Sequence, residues 1–99
     1  MAIPKKSGLS RRVRTIEGDR ANRIGADFLR IDSEIALTYS GIASQTSDPK
    51  KRGRMAAAAR KAYDTILRLR EGIELSHAQG DKLDANLRRL KSDLEYLDE

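Results

Sequence analysis

The chain has 99 residues, a formal charge of +5, 35% charged residues and no cysteine. That length suits one domain that buries about two-thirds of its unfolded surface unaided, and without thiols there are no disulfides or thiolate zinc sites. No stretch is apolar enough to span a bilayer, and no apolar run of a secretory signal follows the cations of MAIPKKSGLSRRVR, so a soluble, cytoplasmic protein without membrane contact is expected.

Residues 1–18 contain Pro4, Gly8 and Gly18 around Arg11, Arg12 and Arg14, and read as a flexible basic N-terminal arm ahead of a single helical domain at 19–99. Leu9, Val13 and Ile16 stand at helical spacing, which leaves open a short docking helix or a direct extension of the next one.

Asp19 follows Gly18 as an N-cap for a first helix over 19–45. Ala21, Ile24, Phe28, Ile31, Ile35, Thr38 and Ile42 recur there in steps of three and four, the seam of a helix packed lengthwise on another. Leu29, Ala36 and Ala43 form a second row on its flank, so this helix should have more than one neighbour. Ser44 to Pro49 is a polar turn.

Asp48 and Pro49 are N-cap and first residue of a second helix over 49–71, because proline lacks only an N–H that has no intrahelical partner there. Met55, Ala59, Ala62, Ile66 and Leu69 make its seam, beside a row of Ala56, Tyr63 and Leu67. Together they cover about half the circumference at about 100° per residue, which predicts the middle layer of the bundle.

Gly72 stops that helix. Ser76 and Gln79 have the spacing of a capping box for a third helix over 76–97, with Asp81 as the alternative start. Leu83, Leu87, Leu90, Leu94 and Leu97 form the cleanest seam in the chain. There is no internal repeat and no alternating strand pattern. The fold class is therefore all-α: a three-helix up-down-up bundle of long, seam-packed helices with a mobile basic arm.

Charge is unevenly placed. The net charge is +5 over residues 1–30, −2 over 31–47, +6 over 48–70 and −4 over 71–99. Lys50, Arg54, Lys61 and Arg68 fall within about 40° of one another, a stripe roughly 27 Å long at about 1.5 Å per residue. Two roles compete for it. In the first, these cations pair with acids of the neighbouring helices, Asp27, Glu34, Asp84, Asp93 and Glu95, and set the packing partners. In the second, they act with Arg11, Arg12 and Arg14 as phosphate contacts. Pairing is the first choice, since helices this long do not suit a helix-turn-helix and no aromatics interleave the cations to stack bases.

Catalytic chemistry finds little support. His77, the only histidine, lies at a turn and reads as a solvated residue; Asp27, Asp32 and Glu34 read as a wet or ion-paired helix face without a pocket to split their pKa values. Gly25 suggests close helix packing. Tyr39, Tyr63 and Tyr96 should bury their rings at the bundle edge. The expected function is a non-enzymatic protein–protein interaction protein that self-associates or binds another protein, with no cofactor or metal. Its alternative is a weak, nonspecific nucleic-acid binder using the arm and the stripe.

Overall fold

The computed structural model describes the backbone of residues 2–98 and the side chains of residues 18–98. Three helices, α1 (Ala2–Gln45), α2 (Pro49–Leu69) and α3 (His77–Tyr96), account for most of the chain, with a 3-10 turn at Arg70–Gly72. The described residues contain no strand.

Caps fix two of the helix starts. Asp48 accepts the Lys50 N–H at 3.0 Å, with Pro49 opening α2. At α3, the Gln79 N–H bonds Ser76 Oγ at 3.1 Å while Gln79 Oε1 accepts the Ser76 N–H at 2.9 Å, a complete capping box. α1 differs from expectation: it begins at Ala2 instead of residue 19, the extension that the spacing of Leu9, Val13 and Ile16 allows. Pro4 is no obstacle, because the first turn's N–H groups have no partner within the helix. Mobility of the arm lies outside the described residues.

α1 and α3 run parallel. Asn86 Nδ2 donates to Ser33 Oγ at 3.0 Å and Ser40 Oγ to Asp93 Oδ2 at 2.7 Å, both across the same sequence separation of 53. α2 runs antiparallel to α1, with Leu29 and Ile66 in one core cluster and Ala36 and Ala59 in the other. This is the up-down-up bundle. Its layering differs from the expected one: α1 packs against both other helices, whereas α2 and α3 meet at far fewer places. α1, not α2, is the central helix.

The core explains why. Along α1 the buried row is Ala26, Leu29, Ser33, Ala36, Ser40 and Ala43, small side chains apart from Leu29. Small residues let two helices approach α1 closely, and the two serines stay satisfied: Ser33 donates to the Arg30 carbonyl and accepts from Asn86, while the single O–H of Ser40 is shared between the Leu37 carbonyl at 3.0 Å and the closer Asp93 Oδ2 at 2.7 Å. Leu83, Leu87, Leu90 and Leu94 fill the space from α3, as their spacing predicts. From α2 come Ala56, Ala59 and Ile66, with Tyr63 half-buried alongside.

The connection between α2 and α3 is pinned to α1. Asn22 Nδ2 donates to the Glu74 carbonyl and its Oδ1 accepts the Glu74 N–H, both at 2.7 Å. One turn on, a Cβ at Gly25 would lie 2.8 Å from Ile73 Cδ1, so the glycine does serve close packing, against this connection. α1 has 44 residues against 21 and 20 for α2 and α3, and the chain measures 71 Å along its longest axis and 24 Å across. The bundle is thus built on the C-terminal half of α1.

Candidate interaction surfaces

The expected seam of α1 is not in the core. Ile24 is 65% exposed, Phe28 41%, Ile31 45% and Ile35 42%; Ala21 and Thr38 are also exposed, and Ile42 is half-buried. The helix is rotated relative to the expected phase, so that its flank row packs inward and its largest apolar residues form a ridge on the surface. Asp27 and Glu34 stand exposed along one side of this ridge. Asp32, half-buried, lies toward the other, and desolvation by burial raises its pKa above the ordinary value of 3.8. α2 adds Leu67 and Leu69 as exposed apolar residues, though both were expected in its packed rows.

Scattered exposed leucines are ordinary on a protein surface, but four large residues in one row at steps of four, three and four are not. That alternation is how one helix presents knobs to another.

The second surface is the cationic face of α2. Lys50, Arg54, Lys61 and Arg68 are all exposed, and among the described residues none forms an ion pair. The expected cross-helix pairing is therefore absent among them, because the acids have other partners or face elsewhere. Glu34 pairs with Arg30 at 3.6 Å on its own helix, Asp84 with Arg70 at 2.8 Å, and Asp93 accepts the Ser40 hydroxyl. Asp27 and Glu95 are exposed and bridge to no described cation. The side chains of Arg11, Arg12 and Arg14 lie outside the described ones.

A third feature is an open groove of about 220 Å³ between α1 and α3, floored by Ala26, Leu29, Leu75 and Leu83 with Arg30 and Lys82 at its rim. Its lining includes the small side chains of Ala26, midway along α1, and Ala78, in the first turn of α3. The groove is smaller than the roughly 300–1,000 Å³ of ordinary small-molecule sites and has room for about one large apolar side chain.

His77 is at the surface, its ring 3.3 Å from Asp81 one turn along α3. No group of three or more histidine, cysteine, aspartate or glutamate side chains among the described residues is placed to hold a metal ion. Tyr39 and Tyr63 are half-buried as expected, and the Arg60 guanidinium lies 5.8 Å from the Tyr63 ring centre. Tyr96 departs from expectation at 72% exposed, since α3 ends there and nothing packs over it. No helix among the described residues is long and apolar enough to cross a membrane.

Comparison of the chain with protein-family models, with curated proteins and with solved structures returns no significant match.

Proposed function

We propose that the protein is a non-enzymatic helical interaction module, acting in the cytoplasm, that docks another protein surface on the apolar ridge of α1. The observation that carries this reading is the exposed row Ile24, Phe28, Ile31 and Ile35 on the central helix of the bundle. Burying a large apolar side chain is worth about 1.5–3 kcal/mol relative to leaving it in water. A bundle that buries serine and alanine from α1 while turning its isoleucines and phenylalanine outward forgoes that gain, unless a second surface supplies it. The ridge is narrow and acid-flanked, which suits one helix laid along it.

A photo-crosslinking side chain at position 28 tests this in cells. The expected result is a discrete protein adduct that survives nuclease treatment. Adducts that vanish with nuclease, or none at all, would overturn the reading.

One observation favours a second reading. The stripe of Lys50, Arg54, Lys61 and Arg68 has no acidic partner among the described residues, which leaves it free for phosphates. Such binding would be nonspecific and strongly salt-dependent.

A further inference from the structure

We propose that the occupant of the α1 ridge is a second copy of this chain, whose own α1 lies antiparallel along it, so that the basic N-terminal third of each α1 covers the acid-flanked ridge of the other. This rests on the reading of the ridge as a docking surface and names its partner.

Length is the first argument. α1 runs from Ala2, whereas the bundle is built on its C-terminal half, with Asn22 the first among the described α1 side chains to bond another element. At about 1.5 Å per residue the N-terminal third of the helix is a rod that extends past the much shorter α2 and α3, and the ridge is a helical face without a covering among the described residues. Each is the shape the other lacks.

Charge is the second. Residues 2–17 carry five cations and one anion; residues 24–38, which span the ridge, carry three anions and one cation, and that cation, Arg30, is paired with Glu34. Two ridges laid directly on each other would oppose Asp27 and Glu34 to their copies, which disfavours ridge-on-ridge pairing. Arm on ridge reverses the sign of the interaction.

Spacing is the third. Leu9 and Ile16 stand seven apart, as Ile24 and Ile31 do, and the two rows lie within roughly 65° of each other at about 100° per residue. An antiparallel register with Ile16 opposite Ile24 also sets Leu9 opposite Ile31 and Lys6 opposite Glu34. In it, Arg12 and Arg14 straddle Asp27, and Glu17 faces Arg23. The one like-charge meeting, Arg20 with its own copy at the two-fold axis, has Asp19 of each chain beside it. Because the arrangement is isologous, every one of these pairs except the Arg20 self-pair on the axis occurs twice.

Sedimentation equilibrium of the full chain tests the proposal. The expected species is a dimer of the 11.1 kDa chain that loosens as salt is raised. Ile31→Asp, at an exposed position and so compatible with an intact bundle, sets a carboxylate against Leu9 and should raise the dissociation constant by at least about 30-fold, the scale of losing one interface hot spot. Changing Arg11, Arg12 and Arg14 together to Glu should also yield monomer. Adding Asp27→Lys to that triple variant should restore the dimer, which a merely structural effect of the substitutions would not do. Unchanged helicity by circular dichroism controls for folding. A wild-type monomer at every concentration overturns the inference, including the case in which the arm folds back onto its own ridge. So does a dimer indifferent to Ile31→Asp or to the arm charges. If that monomer still gives a nuclease-resistant adduct to a different protein from position 28, only the self-pairing fails; with no adduct there, the docking surface fails with it.

Discussion

Phe28 and Leu29 are neighbours in sequence and opposites in the bundle, and replacing each by alanine separates the two phases that α1 could adopt. Leu29 has no exposed surface and packs with Ile66, Leu83 and Leu87. Leu29→Ala removes three carbons, about 2.4 kcal/mol of transfer free energy at about 0.8 kcal/mol each. A cavity cost adds to this, and the total should fall toward the lower half of the roughly 2–5 kcal/mol seen for such changes, because the groove beside Leu29 lets the site relax. For a domain of this size, about 2.5–3.5 kcal/mol corresponds to a fall in Tm of roughly 10–25 °C. Phe28 is 41% exposed, and alanine is the better helix former, so Phe28→Ala should change the stability of the isolated protomer by less than about 1 kcal/mol. Thermal and urea unfolding followed by circular dichroism in dilute solution would measure both. A Phe28→Ala protomer less stable than the Leu29→Ala one would mean that the ridge, not the small-residue row, is the core face.

Three further outcomes follow from named contacts. Asp32→Asn should stabilise the protein at neutral pH: a carboxyl whose folded pKa is raised favours folding below about 3.8 and loses that contribution as pH rises through the folded value, so the advantage of the asparagine should disappear in acid, as melts across pH would record. Ser40→Ala should cost about 1.5 kcal/mol in urea unfolding, the lower end for a bond to a charged group because water can reach half-exposed Asp93; a neutral effect would remove the hydroxyl from the α1–α3 register. Lys61→Gln with Arg68→Gln should leave stability within about 0.5 kcal/mol, since neither pairs with a described acid, and if the stripe meets phosphates the slope of log affinity against log salt should flatten by about two in a polyanion titration.

Some of this molecule is written plainly in its sequence. The leucines of α3, the Asp48–Pro49 start and the Ser76–Gln79 box rest on local rules, spacing and capping chemistry, that tertiary packing did not override. The phase of α1 is not legible by the same means, because two rows with the same alternation run side by side and hydrophobicity alone favours the wrong one for the interior. What decides between them is how closely two other helices must approach, and this selects Ala26, Ser33, Ala36, Ser40 and Ala43 over isoleucine. A signal was nonetheless present: Ser33 and Ser40 stand seven apart on α1, as Asn86 and Asp93 do on α3, and these polar pairs are the ones that bond. The cation stripe was legible as a stripe but not in its partners, since acids within reach on paper are claimed by nearer groups such as Arg30 and Arg70. Asn22, which anchors the connection to α3 through two backbone bonds, had no sequence signature beyond a polar residue on a helix.

The chain has no cysteine, so a single thiol can report on any chosen position. The rate at which the Ile31→Cys protein reacts with a water-soluble thiol reagent, followed as protein concentration rises, tests most directly that the α1 ridge is an outward-facing docking surface. Leu29→Cys serves as the buried reference. Position 31 should react rapidly in dilute solution and become protected as concentration rises, while position 29 stays slow throughout. A slow rate at position 31 in dilute solution would place the ridge in the protomer core, and a fast rate unaffected by concentration would leave it an open surface that no second copy covers.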